Sequence, residues 1–282
     1  MQEQQTLRKS VTLSGMGLHS GTAVHMRLLP ASVNTGIIFR RMDLPGQPEI
    51  PAAVESIAST NRNTSLSRGT AQVMTVEHLM AALRGLGVDN AIIELDGGEP
   101  PMGDGSAQIF VEMIQEAGLS AQGTRRHFCQ LNTPVWVSQG DSHLVAVPAD
   151  EFTVSYTFVS DHPQVGTQYG EFAITEDVFL QELAPARTLI FAKDIEALRR
   201  QGLGLGGNLD SVVIIGDNGY HNSLRYQDEV VRHKILDIVG DLGLLGFLQA
   251  HVIGVRSGHS LNRQLMLEIW EQAYSAMGVG NR

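Results

Sequence analysis

The chain has one cysteine, no long apolar run and no excess of positive charge among its 282 residues. The single cysteine, Cys129, excludes an intrachain disulfide framework and is typical of a reducing compartment. No apolar run is long enough for a membrane-spanning helix, so none is expected. The formal net charge of −10 argues against binding to nucleic acid, which depends on clustered Lys and Arg. We therefore expect neither a nucleic-acid partner nor a membrane-spanning segment.

The start of the chain, Met1–Gln5, lacks the basic and then apolar layout of a secretory signal. A hydrophobic fraction of 43% and a charged fraction of 18% are typical of a globular protein. The length allows two domains of ordinary size or one large domain. We expect a monomeric protein of the cytoplasm.

Strands punctuated by Gly, Asn and Pro dominate the first half of the chain, together with two helices. Alternating apolar residues predict strands over 6–13, 23–29, 36–41 and 91–95. Thr75 is the predicted N-cap of a helix that ends near Gly85, and Ser106 is the predicted cap of a helix over 107–117. The small and polar residues 118–124 predict a linker. This linker divides the chain into domains of residues 1–123 and 124–282.

The second half repeats this order of elements. Its predicted strands are 130–137, 143–148, 152–158 and 250–255, and its last predicted helix is 260–277. A βαβ-like insertion is expected at about 186–215, with a helix over 192–201. Each half carries a histidine near the start of a long helix, at His78 and at His233. We therefore predict an α+β fold of two similar two-layer domains, each a sheet packed against two helices.

The strongest chemical signal lies in the helix predicted over Val231–Leu242. His233, Asp237 and Asp241 are four residues apart and therefore share one face of that helix. Catalytic zinc takes three protein ligands and leaves one position open. His233 and Asp237 supply two ligands and His78 is our choice for the third, whereas Asp241 could orient a histidine from behind. The alternative is that these residues cap helices or lie at the surface.

Other candidates follow from their position near these ligands. Glu77 precedes His78 and is turned away from it on the helix, which suits a general base better than a ligand. His259 follows a strand and is the best remaining candidate for a general acid. Thr188 has a hydroxyl that could donate to an oxyanion. His19 lies in a glycine-rich turn that could approach a substrate, or that could be a plain hairpin turn.

Two further features, Lys234 and the glycine run 202–207, concern the binding of phosphate groups. Lys234 is one residue off the ligand face and could meet a phosphate, with a solvated lysine as the alternative. The glycine run 202–207 lacks the Lys-Ser/Thr ending of a P-loop, which argues against nucleoside-triphosphate chemistry.

The motifs in their order are Gly15–Gly21, Thr75–Leu79, Asp104–Ser106, Ala186–Thr188, Val231–Lys234 with Asp237 and Asp241, and Ser257–His259. Over nearly the whole chain, this set closely resembles the zinc-dependent UDP-3-O-acyl-N-acetylglucosamine deacetylases of lipid A biosynthesis. The resemblance implies a Zn²⁺ cofactor, an acylated UDP-amino sugar as small-molecule substrate, and an active site between two α+β domains.

The resemblance also implies a role for each candidate residue. His78, His233 and Asp237 would be the zinc ligands, and Glu77 would be the base. The remaining roles are a general acid at His259 with Asp241 as its charged partner, a carbonyl-polarising hydroxyl at Thr188, and a diphosphate contact at Lys234. The insertion would form an apolar passage for the acyl chain, lined by Ile190, Phe191 and Leu198.

Two positions depart from the family pattern. Leu189 stands where an aromatic residue is usual, and residues 61–63 are more polar than usual. Both concern the acyl chain rather than the chemistry. The alternatives to deacetylation of this substrate are a zinc amidohydrolase for another acylated amino sugar and a non-catalytic module that binds nucleotide sugars.

Overall fold

The computed structural model describes residues 2–276, and the side chains up to residue 273. Its fold is α+β, which confirms the predicted class. The strands of the first half are β1 Glu3–Leu7, β2 Val11–Met16, β3 Ala23–Pro30, β4 Ile37–Arg41, β5 Glu49–Pro51, β6 Ile57–Ser59, β7 Ser65–Arg68, β8 Ala71–Val73, β9 Ala91–Leu95 and β10 Leu119–Arg125. The helices of this half are α1 Glu77–Gly85 and α2 Gln108–Ala117.

The second half has the same mixture of elements. Its strands are β11 Phe128–Gln130, β12 Val135–Gln139, β13 Ser142–Pro148, β14 Thr153–Phe158, β15 Gln168–Ala173, β16 Leu189–Phe191, β17 Val213–Gly216, β18 Gly219–Tyr220 and β19 Phe247–Val255. Its helices are α3 Glu176–Val178, which continues as a π-helical turn over Phe179–Leu183, α4 Ile195–Arg200, α5 Glu229–Leu242 and α6 His259–Ala276. The end of the last predicted helix, at Met277, lies outside the described residues.

The main sheets of the two halves have the same topology. The strand orders are β2-β3-β9-β4-β5 and β12-β13-β19-β14-β15. In both sheets the central strand runs antiparallel to one neighbour and parallel to the other. The repeat inferred from two histidine-bearing helices therefore extends to a whole sheet in each half. One apolar core includes residues of both halves, and the division at residues 123 and 124 stays a prediction.

The segment at this division is a strand and not the linker that the sequence suggested. β10 pairs antiparallel with β1 at the start of the chain, from Leu7↔Leu119 to Glu3↔Arg125. Small and polar residues form the strand because its partner satisfies their main-chain groups, which local periodicity does not reveal. The single strand predicted over 6–13 is in fact two strands, because β1 ends at Leu7 and β2 begins only at Val11.

Two other local expectations change. The residues between β14 and α3, for which the sequence predicted no strand, contain β15, which pairs with β14 at the sheet edge. Thr75 does not cap α1, because its hydroxyl donates to Glu99 at 3.1 Å and its φ is 56°. Ser106 does accept a hydrogen bond from the Gln108 amide at 3.1 Å, although Ala107 is the residue that precedes α2.

Helices α1 and α5 pack against each other where the two halves meet. Gly240 of α5 makes this close approach possible, since a Cβ atom there would lie 2.0 Å from the carbonyl oxygen of Glu77. The contact brings the histidine-bearing turns of the two helices together. The predicted βαβ insertion is also present, because β16 and β17 pair in parallel and α4 lies between them in the chain.

Candidate functional site

Three ligand-type side chains from the two halves converge at the contact of α1 and α5. His78, His233 and Asp237 are buried, and they offer ligand atoms that all lie within 4.8 Å of one another. Oδ1 of Asp237 is 3.3 Å from Nε2 of His233 and 3.7 Å from Nε2 of His78. The predicted meeting of two histidines from distant parts of the chain is therefore present in the structure.

A main-chain carbonyl orients the ring of His233. Its Nδ1 lies 3.0 Å from the carbonyl oxygen of Ala186, which leaves Nε2 facing Asp237. Burial lowers the pKa of His233 to about 4, so the imidazole is neutral at neutral pH. A metal ligand must be deprotonated, and a main-chain carbonyl is a usual partner for its second nitrogen.

Asp237 is held by a lysine on its other oxygen. Nζ of Lys234 donates to Oδ2 of Asp237 at 2.7 Å, so Lys234 does not point away from the ligand face as its position suggested. Burial raises the pKa of Asp237, but His233 and Lys234 outweigh this effect and keep the pKa well below its usual range. The carboxylate is thus ionised, with Oδ1 turned toward the two histidines.

These three residues fit a tetrahedral metal ion with an open position. Ligands about 2.0–2.1 Å from such an ion are about 3.3–3.5 Å apart. The Asp237 contacts of 3.3 and 3.7 Å to the histidine nitrogens are close to this value. The donor set of two neutral imidazoles and a carboxylate is one that zinc commonly takes.

Glu77 lies beside this cluster and is buried, with 3% of its surface exposed. Its Oε2 accepts a hydrogen bond from the main-chain N–H of Thr64 at 3.0 Å. Burial raises the pKa of the Glu77 carboxyl, although His259 and His78 act in the opposite direction. A carboxyl group with a raised pKa is a stronger proton acceptor than an exposed one.

On the other side, the partly buried His259 pairs with the fully buried Asp241. Nδ1 of His259 is 2.7 Å from Oδ2 of Asp241, and Nε2 of His259 is 4.0 Å from Oδ2 of Asp237. Burial lowers the pKa of His259, but the charge and hydrogen bond of Asp241 outweigh it and raise the pKa to about 10. The ring is therefore an imidazolium at neutral pH and can give up a proton from Nε2.

Next to this cluster, the insertion covers an apolar cavity of about 130 Å³. Ile190 and Leu198 line it, together with Thr188 and His19. Nδ1 of His19 accepts from the Gly204 amide at 3.2 Å, whereas its buried Nε2 has no partner among the described residues. The unsatisfied nitrogen is the kind of group that a ligand can complete.

Phe191 lies away from that cavity. It borders a separate cavity of about 350 Å³, where its ring is 6.2 Å from that of His162. Ile190 and Phe191 are neighbours on β16, so their side chains point to opposite faces of the strand. Ile190 and Leu198 therefore line one cavity, and Phe191 lies outside it.

Comparison with known proteins gives a consistent result. The model of the LpxC family, described as UDP-3-O-acyl N-acetylglycosamine deacetylase, matches residues 4–271. The chain belongs to this family. Relatives named UDP-3-O-acyl-N-acetylglucosamine deacetylase include one from Citrifermentans bemidjiense, 43% identical over 94% of this chain and 88% of the relative. Relatives of the same name from Nostoc sp. and Chlamydia pneumoniae are 44% and 45% identical, over 95% and 92% of this chain and 98% and 94% of their own lengths.

Membership in the family agrees with the resemblance drawn from the motifs, and the structure adds residues that those motifs did not single out. Asp241 accepts hydrogen bonds from the hydroxyl of Thr64 at 2.6 Å and from Nδ2 of Asn262 at 2.8 Å. Glu99 is buried and accepts from the main-chain amides of His19 and Ser20, which ties the glycine turn to the site. Thr64, Glu99 and Asn262 are distant in sequence from these partners, so spacing carried no signal for the contacts.

The described helices include none that is both long and apolar enough to cross a bilayer.

Proposed function

We propose that this protein hydrolyses the N-acetyl group of UDP-3-O-acyl-N-acetylglucosamine and releases acetate, as a step of lipid A biosynthesis. The observation that carries the proposal is the convergence of a ligand triad, a buried carboxyl and an imidazolium within one site. Family membership and the names of the relatives support the same activity.

We propose Zn²⁺ as the cofactor, held by His78, His233 and Asp237. The ion would polarise the amide carbonyl and make a water molecule more acidic. Lys234 keeps Oδ2 of Asp237 occupied, so that Oδ1 faces Nε2 of His233 and is free to serve as a ligand. The carbonyl of Ala186 holds the His233 ring in the tautomer that presents Nε2.

Glu77 acts as the general base in this proposal. Its carboxylate takes the proton from the water molecule that attacks the acetamide carbon. Burial raises the pKa of Glu77 toward the working pH, and a general base is most effective when its pKa lies near that pH. The amide of Thr64 fixes one oxygen of the carboxylate and thereby sets its orientation.

His259 acts as the general acid. Its imidazolium delivers a proton to the amine nitrogen as the bond to the acetyl carbon breaks. Asp241 keeps the ring charged and aligned through the 2.7 Å contact with Nδ1. Positive charge at this position also stabilises the negative charge that develops on the carbonyl oxygen, to which the Thr188 hydroxyl would donate.

The rest of the substrate would occupy the surroundings of the triad. Lys234 would meet the diphosphate, and the unsatisfied Nε2 of His19 would contact the substrate. The cavity that contains Ile190 and Leu198 suits the acyl chain, because it is apolar and opens beside His19. We propose that the protein acts as a monomer in the cytoplasm, where a free Cys129 stays reduced.

Acetate release from the acylated UDP-sugar, measured together with the zinc content of the purified protein, tests the proposal. We expect the wild-type protein to contain stoichiometric zinc and to release acetate. His233→Ala protein, purified identically, should show neither. Zinc with turnover of the free acylated amino sugar at an equal kcat/KM would favour another amidohydrolase. Substrate binding without acetate release under metal-replete conditions would instead favour a non-catalytic module.

A further inference from the structure

The proposed mechanism uses the main-chain amide of Thr64 but not its hydroxyl, which donates to Asp241. Thr64 is fully buried, with 0% of its surface exposed, so no water can replace its hydrogen bonds. It lies in the first half of the chain, immediately before β7, yet it contacts both Glu77 and Asp241. All three of its polar groups are engaged beside the proposed base and acid.

Two of those groups belong to the main chain and hold the start of α1. The N–H of Thr64 donates to Oε2 of Glu77 at 3.0 Å. Its carbonyl oxygen accepts from the N–H of Val76 at 3.2 Å, one residue before the helix. The backbone of Thr64 therefore fixes the proposed base, and a substitution of the side chain leaves these two bonds in place.

The hydroxyl connects this backbone to the second half of the molecule. Oγ1 lies 2.6 Å from Oδ1 of Asp241 and 3.4 Å from Nδ1 of His259. An ionised carboxylate can only accept, so the single hydroxyl proton belongs to the short contact with Asp241. Oδ2 of Asp241 is left to His259 and to Nδ2 of Asn262.

We infer that Thr64 is a positioning residue that aligns the general acid through Asp241. The carboxylate of Asp241 is held at both oxygens, and its plane sets the direction in which the His259 ring points. Without the hydroxyl, Oδ1 is a buried and unsatisfied acceptor, and the carboxylate can rotate toward another donor. The inference rests on the proposed function, since it concerns the proton that His259 delivers.

The experiment compares Thr64→Val, which is isosteric and lacks the hydroxyl, with Thr64→Ser, which retains it. T64V loses a hydrogen bond to the buried carboxylate of Asp241. We therefore expect its kcat to fall roughly 10- to 100-fold. KM and zinc content should stay within about threefold of wild type, and T64S should recover most of the turnover. Thr6→Val serves as the matched control, because the Thr6 hydroxyl is also buried and bonded, to the Asn90 carbonyl at 2.7 Å.

A double-mutant cycle separates positioning from a general loss of structure. If the hydroxyl acts through His259, T64V should change kcat by less than about twofold when His259 is already alanine. A full 10-fold loss in that background, or unchanged kcat in T64V alone, would overturn the inference. Thr64→Ala replaces T64V in the same cycle if the valine variant does not fold. Absence of wild-type turnover would contradict the proposed function itself, whereas an inactive T64S beside an active wild type contradicts only this inference.

Discussion

The two halves of the molecule share a sheet topology but differ in what their contacting helices carry. Helix α1 of the first half brings Glu77 and His78, whereas α5 of the second half brings His233, Asp237 and Asp241. Neither helix contains a complete set of metal ligands with a base and an acid. The two halves therefore provide two similar scaffolds, and the candidate ligands, base and acid come together only where the halves are in contact.

The outer faces of the two main sheets differ as well. In the first half, Arg27, Glu94, Arg40 and Glu49 form ion pairs across neighbouring strands. In the second half, the corresponding face exposes large apolar side chains, with Trp136 at 70% and Ile253 at 39% of their surfaces. Shared topology thus constrains the inner face, which packs on helices, much more than the face in contact with solvent.

The largest effect should come from removing a metal ligand from either half. We expect His78→Ala and His233→Ala to lose stoichiometric zinc and to lose more turnover than any acid or base variant, because only three protein ligands would hold the ion in the proposed site. Metal analysis and acetate release measure both effects. If either variant kept zinc and turnover, one half alone would hold the site and the comparison would fail.

The next effect contrasts the proposed base with the proposed acid. Glu77→Gln and His259→Gln should each lower kcat by roughly 10²–10⁴-fold, the usual contribution of general acid–base catalysis. Both should retain zinc, because neither side chain belongs to the ligand triad. Near wild-type turnover of either variant would remove that residue from its proposed role.

A buried ion pair in the second half should control stability. Arg187 donates to Glu229 from Nε at 2.9 Å and from its main-chain N–H at 3.0 Å, and Glu229 is fully buried. Glu229→Gln leaves the buried guanidinium uncompensated and should lower the free energy of unfolding by about 3–5 kcal/mol. Denaturant unfolding measures this difference.

The same pair predicts a pH dependence. Burial raises the pKa of Glu229, but its hydrogen bonds from Arg187 and Arg225 outweigh this effect and lower the pKa. A lowered pKa adds stability above the usual glutamate range, and that stability is lost as the pH falls through this range toward the folded-state value. The stability difference between wild type and Glu229→Gln should therefore shrink in acid. A difference that grew in acid would contradict this sign.

The smallest effect belongs to the outer face of the first half. Glu94 itself is buried, but the side chains of its partners Arg27 and Arg40 are 48% and 26% exposed, so solvent screens the charges of both arginines. Glu94→Gln should cost at most about 1 kcal/mol of unfolding free energy and should leave kcat unchanged. A loss as large as that of Glu229→Gln would show that the two halves are more alike in their electrostatics than their surfaces suggest.

Much of the local structure was accessible from the sequence. The apolar period of α1 and α5 and the buried strand β9 were predicted close to their observed bounds, because each follows from residues a few positions apart. The strand β10 was mistaken for a linker because its partner, β1, is more than a hundred residues away in the chain. Residues without periodicity form a strand when a distant neighbour satisfies their backbone.

For the candidate site, too, some features were predictable from the sequence and others were not. The spacing of His233 and Asp237 specified their proximity, since residues four apart on a helix are neighbours. The approach of Lys234 to Asp237 was missed although the two residues are three positions apart on α5 and are therefore neighbours on its surface. The separation of Phe191 from Ile190 depends on which face of β16 meets the cavity, and that is a property of packing.

The sequence by itself determined which side chains carry chemistry and which helices present them, because these properties depend on residue type and helical period. Only the tertiary structure decided that α1 and α5 approach closely enough, at Gly240, for His78 to meet Asp237. It alone placed Thr64 between Glu77 and Asp241. Such contacts depend on the packing of elements far apart in the chain, where atoms meet only after both halves have folded.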